Sequence, residues 1–151
     1  MFDISHLDNT IHLIGKGNLV KVRTSVMIED LPRLVNENAA VVHRGRLVTA
    51  EMQILIGKDE YRIMIEAGRI TAVERGPFLM RPSSISIRAS AEAWEKFWQV
   101  FPAPGYQDIF AMVKNGEAEV TGDWRLLMQN LRYFKELLEA PRQLVREDRH
   151  A

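Results

Sequence analysis

Two glycines divide the stretch Gln107–Glu139 into three segments, and no other part of the chain restricts the fold so tightly. Before Gly116, the residues Ile109, Phe110, Met112 and Val113 recur at helical spacing, and glycine suits the left-handed residue that closes a helix. From Glu117 to Thr121 polar and apolar residues alternate as in a strand. Gly122-Asp123 then turns the chain into a final helix, which Asp123 can cap by accepting a backbone N–H. The expected order is short helix, short strand, long helix.

The long helix carries more apolar surface than one packing layer hides. At about 100° per residue, Arg125, Gln129, Arg132, Glu136 and Glu139 gather into one narrow polar stripe. Trp124, Leu127, Met128, Leu131, Phe134 and Leu138 form one apolar side, with Leu126, Tyr133 and Leu137 beside them. A helix resting on a sheet needs an apolar face of roughly 100°, and this one offers nearly twice that. The excess must meet another element of the protein, a second subunit or an apolar ligand.

Composition sets wider bounds. A chain of 151 residues fits one domain able to bury a core without staples. Lysine plus arginine balances aspartate plus glutamate at 20 each, so no global field recruits nucleic acid or an anionic membrane. The absence of cysteine excludes disulfides and thiolate metal sites. No apolar run approaches the roughly 18 residues of a membrane span, and the N-terminus lacks the basic-then-apolar shape of a secretory signal. The expected compartment is the cytoplasm.

Near the start, Ile11–Ile14 and Leu19–Ile28 flank Gly15-Lys16-Gly17-Asn18, good hairpin-loop chemistry. The first arm also fits a helical face through Leu7, Ile11 and Ile14. A hairpin is favoured there. Asp30 and Pro32 then open a helix ending near Asn36–Asn38, with Leu31, Leu34 and Val35 inward. Met52, Ile54 and Ile56 alternate up to a turn at Gly57, and Tyr61, Ile63 and Ile65 up to a second at Gly68. Ile70–Glu74 and Ser84–Arg88 complete four strands, expected to be antiparallel neighbours because their connections are short. Ser90 caps a helix over Ala91–Phe101, whose Trp94, Phe97, Trp98 and Phe101 form an aromatic face. Pro102–Gly105 ends it, and beyond Pro141 a charged tail is expected to fray.

This order of elements resembles the sterol carrier protein 2 (SCP2) family from about Asp30 to Glu139. The similarity is most specific in FAMVKNGEAEVTGDWRLLMQN (Phe110–Asn130) and in IEAGRITAVERG (Ile65–Gly76), where glycine spacing and apolar pattern agree with the family. The resemblance implies an α+β fold: a mostly antiparallel five-stranded sheet covered by helices on one face, enclosing an apolar tunnel. Residues 29–140 would form the SCP2-like lipid-binding domain, 1–28 an N-terminal extension packed on it, and 141–151 the charged tail. Residues Met1–Ile28 have no counterpart in the family, Pro102–Gly105 is an unusual helix break, and Arg149-His150-Ala151 is not a peroxisomal signal.

By the same resemblance the protein binds or transfers an apolar ligand (lipid, fatty acid, sterol-like or isoprenoid) without chemical conversion. Carried over by position, the tunnel walls are Phe110, Val113, Trp124, Leu127, Met128 and Leu131, with Trp94, Phe97 and Phe101 on the aromatic helix. The alternative is an accessory interaction or dimerisation module with no transfer role, since a wide apolar face serves a homodimer equally well. Transient membrane contact is compatible with either. An aromatic stripe at helical spacing is also ordinary core, and methionines such as Met112 and Met128 are ordinary gap-fillers.

Catalytic signals are weak. His6, His12, His43 and His150 share no metal-ligand spacing, no G-x-S-x-G elbow occurs, and Gly15-Lys16-Gly17 lacks the phosphate-loop spacing. Glu51, Glu60, Glu66 and Glu74 fall where solvated carboxylates are the default, and Arg44 and Arg46 flank Gly45 in an expected loop. No enzyme activity, metal or cofactor is expected.

Overall fold

The computed structural model describes residues 23–78 and 81–149. The described residues open with helix at 23–29 (α1), which runs through Asp30 into α2 (Leu31–Asn36). The Asp30 N–H donates to the Val26 carbonyl at 3.1 Å, and Leu34 N–H to the Asp30 carbonyl at 3.2 Å, so helical bonding is continuous there. Asp30 is therefore no side-chain cap; its carboxylate holds Arg33 at 2.6 Å instead. This corrects the expected second arm of the hairpin. The alternation of Val26 and Ile28 yields to a helical period in which Thr24, Met27, Ile28 and Leu31 are buried. Short apolar runs suit either period, and the tertiary contacts decide. The first arm, its glycine loop and residues 19–22 of the second arm lie outside the described residues.

An unanticipated helix, α3 (Ala39–Arg44), follows, with the Asn38 side chain accepting from Val41 N–H. Strands β1 (Ala50–Ile56), β2 (Asp59–Glu66) and β3 (Arg69–Arg75) form the expected antiparallel meander, with Met52 opposite Ile63 and Ile63 opposite Val73. Then β4 (Ile85–Ala89), α4 (Ala91–Phe97), α5 (Ile109–Lys114), β5 (Ala118–Gly122), α6 (Trp124–Gln129), α7 (Leu131–Glu139) and α8 (Arg142–Arg149) follow. The sheet is five-stranded in the order β3-β2-β1-β4-β5.

Strand β4 runs parallel to β1, contrary to the antiparallel expectation. The reason is geometric. Strand β3 ends at Arg75, level with Tyr61 and hence with Ile54, while β4 starts at Ile85, level with Met52. The connection need not return along a whole strand. It crosses about three strand spacings, roughly 14 Å, and residues 76–84 reach ~30 Å when extended. No crossover helix is required.

That connection lies over the sheet face opposite the helices. There Arg62, fully buried, donates to the Arg81 carbonyl at 2.8 Å and the Pro82 carbonyl at 2.9 Å and pairs with Glu51. The Phe78 ring lies 5.2 Å from its guanidinium, and Phe78 N–H donates to Glu60 at 2.9 Å. Glu51 and Glu60 thus hold the crossing segment rather than facing only water.

The other face of the sheet carries the core. Met52, Ile54, Tyr61, Ile63, Ile85 and Ile87 are all buried on it, with Val120 extending the row to β5. The described part of the tail is helical rather than frayed. Helix α8 buries Leu144, and the Arg142 guanidinium donates to the Phe97 carbonyl at 2.8 Å and the Gln107 carbonyl at 3.0 Å. Arg142 also stacks 4.7 Å over the Phe97 ring, binding the proline-rich loop after α4 to the C-terminal helix.

Candidate functional site

Local chemistry places the elements that carry the expected ligand residues. Asp108 caps α5 by accepting from Ala111 N–H at 2.8 Å. Gly116, at φ +76°, closes it: Glu117 N–H reaches the Met112 carbonyl at 2.8 Å while Gly116 N–H reaches that of Val113 at 3.1 Å. This paired pattern needs a left-handed residue, which glycine adopts at no steric cost. Asp123 caps α6 through Leu126 N–H at 3.0 Å, and Ser90 caps α4 through Ala93 N–H at 3.1 Å.

The final helix expected over Asp123–Glu139 is two helices. Asn130, at φ −123° and ψ 33°, interrupts it, and its side-chain amide donates back to the Leu126 carbonyl at 3.1 Å. Asparagine readily satisfies backbone groups in a non-helical geometry, which is the local cause of the break. The break divides the wide apolar face. Helix α7 buries Tyr133, Phe134, Leu137 and Leu138, whereas α6 buries Leu127 and leaves Trp124 44% and Met128 53% exposed. The surplus of α7 thus meets another element of the protein, and that of α6 meets solvent.

The expected wall residues fall into three groups. Trp94 and Phe97 are fully buried core: Trp94 stacks on Trp98 at 4.9 Å and meets Phe97 edge-on at 5.7 Å. Their indoles are satisfied, Trp94 Nε1 donating to the Leu55 carbonyl at 2.9 Å and Trp98 Nε1 to that of Leu138 at 2.8 Å. Phe101 stands apart. Helix α4 stops at Phe97, so Phe101 leaves the aromatic face and is 83% exposed. The third group lies at α5 and α6, where Phe110 and Val113 are half-buried, the Phe110 ring is 6.4 Å from that of Trp124, and Leu127 is buried. Leu131, half-buried, opens α7 beyond the break.

Among the described residues, clefts lie around this framework. One of about 500 Å³ lies between α2–α3 and α7–α8, with Leu34, Val35 and Val41 among its apolar walls. Its rim is charged: Arg44 pairs with Glu136 at 2.7 Å and Arg142 with Glu139 at 3.4 Å. Burial pushes the Glu139 carboxyl up and the Arg142 guanidinium down, the mark of partial desolvation. A second, about 350 Å³, is walled by Arg44, Arg46 and Gln129–Tyr133. A third, about 400 Å³, lies by Glu51, Met64 and Ser84. Of the expected wall residues, Leu131 lines one of these three clefts, the second. Sequence reasoning missed these clefts because each joins elements distant in the chain.

Among the described residues no three histidine, aspartate or glutamate side chains gather as metal ligands, and no helix is long and apolar enough to cross a membrane.

A crystal structure of sterol carrier protein 2 superposes with a TM-score of 0.63 at 12% identity, covering 78% of this chain and 94% of its own. The chain has the sterol carrier protein 2 fold. A conserved hypothetical protein of Thermus thermophilus, described as a candidate sterol carrier protein, shares that fold with a TM-score of 0.60 at 12% identity, over 78% of this chain and 85% of its own. So does the ubiquinone synthesis protein UbiJ-SCP2, at 0.51 and 18% identity, over 76% of this chain and 87% of its own. No protein-family model and no curated protein matches the chain. In sterol carrier protein 2 terms, the sheet and its helical layer are present, and the α5–α6 group leaves large apolar side chains of that layer in the open.

Proposed function

We propose that this protein binds an apolar, lipid-like ligand without converting it, and that the α5–α6 group is where the ligand is held. The observation that carries this reading is the Phe110 ring beside the exposed Trp124, with exposed Met128 four residues further along α6, set on the sterol carrier protein 2 fold. Phe110, Val113, Trp124, Leu127, Met128 and Leu131 contact the ligand in this proposal. Trp94 and Phe97 enter the proposal as buried aromatic residues of α4, and Phe101 as the exposed one after it. The ligand unit is residues 29–140, and the compartment proposed is the cytoplasm.

The energetics support such a ligand without any charged clamp. Burying about 16 carbons at ~0.8 kcal/mol per methylene gives roughly 13 kcal/mol gross. Association costs of some 4–15 kcal/mol reduce that. Micromolar or tighter binding remains within reach, so few polar site residues are needed.

Native mass spectrometry of gently purified protein, together with displacement of a fluorescent fatty acid, tests the reading. A retained lipid mass or saturable displacement supports it. Neither signal across fatty acids, sterols and isoprenoids would remove it.

A further inference from the structure

We propose, independently of the ligand reading, that strand β5 takes an added strand from a protein partner: an extended segment in which basic residues alternate with apolar ones. The sheet order makes β3 and β5 its two edges. An edge strand presents unpaired backbone groups on which another chain can pair. The β3 edge is closed at Ile70, where the Asn36 side chain stands in for a neighbouring strand. Its amide nitrogen donates to the Ile70 carbonyl and its oxygen accepts from Ile70 N–H, both at 2.8 Å.

The β5 edge has no such cover. Asp123 N–H donates to the Ser84 carbonyl at 2.7 Å, one step outside the Ile85–Gly122 pair. In an antiparallel ladder this makes Ile85–Gly122 a non-hydrogen-bonded pair, and Ile87–Val120 and Ala89–Ala118 follow by alternation. The Ala89 carbonyl accepts from Gly57 N–H at 2.9 Å and so points to β1, as that alternation requires. The backbone groups of Ala118, Val120 and Gly122 therefore point away from β4. Among the described residues nothing bonds to them there.

Charge selects the occupant. Val120 is buried on the core face, so Glu119 and Thr121 stand on the opposite face; both are exposed, as is Glu117 at the entry to the strand. Among the described residues neither glutamate forms an ion pair, and Arg88, exposed and level with Glu119 on β4, makes none with it. A second copy laid antiparallel on this edge meets its own charge. Pairing centred on Val120 sets Glu117 opposite Asp123 of the other copy, and pairing centred on Glu119 sets that residue opposite itself. Like charges directly opposite one another are destabilising. A strand with lysine or arginine at alternate positions instead meets the glutamates, while the apolar residues between them lie beside Ala118 and Val120. Main-chain bonds supply affinity in such strand addition, and alternate side chains supply specificity.

The test titrates the full chain with fluorescent octapeptides, one alternating lysine and valine, the other glutamate and valine. Anisotropy reports binding, and amide hydrogen exchange followed by NMR reports where it occurs. Saturable binding of the lysine peptide, weakened by salt, is expected, with the glutamate peptide about tenfold weaker. Bound peptide should slow exchange of the Ala118, Val120 and Gly122 amides. Glu117→Lys combined with Glu119→Lys changes exposed side chains and should reverse the preference, so that the variant binds the glutamate peptide better. Strand addition is overturned if neither peptide binds, if both bind equally, if binding leaves those amides unchanged, or if charge reversal leaves the preference as it was. Slowed exchange of the same amides on raising the protein concentration without peptide would also overturn it, by giving the edge to a second copy.

Discussion

The Tyr133 hydroxyl donates to the Gly68 carbonyl at 2.8 Å, joining α7 to the β2–β3 turn across 65 positions of sequence. The ring lies so close to Gly45 that a Cβ there would come within 2.3 Å of it. A Cβ on Gly68, itself at φ +82°, would come within 2.6 Å of the Val42 carbonyl. One aromatic side chain and two bare backbone positions thus lock α3, α7 and the sheet together.

Replacing Tyr133 with phenylalanine keeps the ring and removes the bond, leaving the Gly68 carbonyl buried without that donor. The expected loss is about 1–3 kcal/mol in chemical denaturation. The pH dependence should change as well. Burial pushes the Tyr133 phenol above its ordinary value of 10.0. Between the unfolded and the folded value the native state retains a proton that the unfolded chain has lost, so stability falls as pH rises. The contribution is fully present below pH 10 and declines above it. Tyr133→Phe should flatten that alkaline decline, measured by denaturation at a series of pH values.

Gly45→Ala should destabilise by roughly 1–3 kcal/mol, because the Tyr133 ring must shift to admit the methyl group. Combined with Tyr133→Leu, the two losses should sum to more than the double variant shows. Strict additivity in the double-mutant cycle would mean that the glycine and the ring do not meet in solution.

Arg62→Gln removes the group that holds the Arg81 and Pro82 carbonyls across the face of the sheet opposite the helices. A charged hydrogen-bond donor lost to buried carbonyls costs about 1.5–3 kcal/mol. Hydrogen exchange should rise in the crossing segment before it rises in β1 and β2. Unchanged protection there would show that the segment is held by other contacts.

Trp124→Ala should weaken displacement of a fluorescent fatty acid by roughly tenfold while changing stability by less than ~1 kcal/mol, since the side chain is already half in solvent. Phe101→Ala, at an even more exposed position, should be neutral to stability. Its effect on ligand affinity then decides whether Phe101 belongs to the site.

Features legible in the chain were those whose cause lies within a few residues. Asp123 and Ser90 cap their helices and Gly116 closes α5, because a short polar side chain or a missing Cβ acts on its immediate neighbours. The alternation in β1, β2 and β3 revealed three strands and their buried face, and the order of elements led to the fold. Tertiary structure decided what depends on distant partners. Residues 23–28 are helical because that period buries Thr24, Met27 and Ile28, where a strand would have paired them differently. Strand β4 takes its direction from the level at which the chain leaves β3, which no local pattern encodes. The broad apolar face of the final segment was visible in the residue spacing, but only packing showed that Asn130 splits it. One part was closed by the Tyr133–Gly68 contact and the other left open at Trp124 and Met128. Side-chain pattern is a local property of the chain, whereas the choice of which apolar surface stays uncovered is made by all the elements at once.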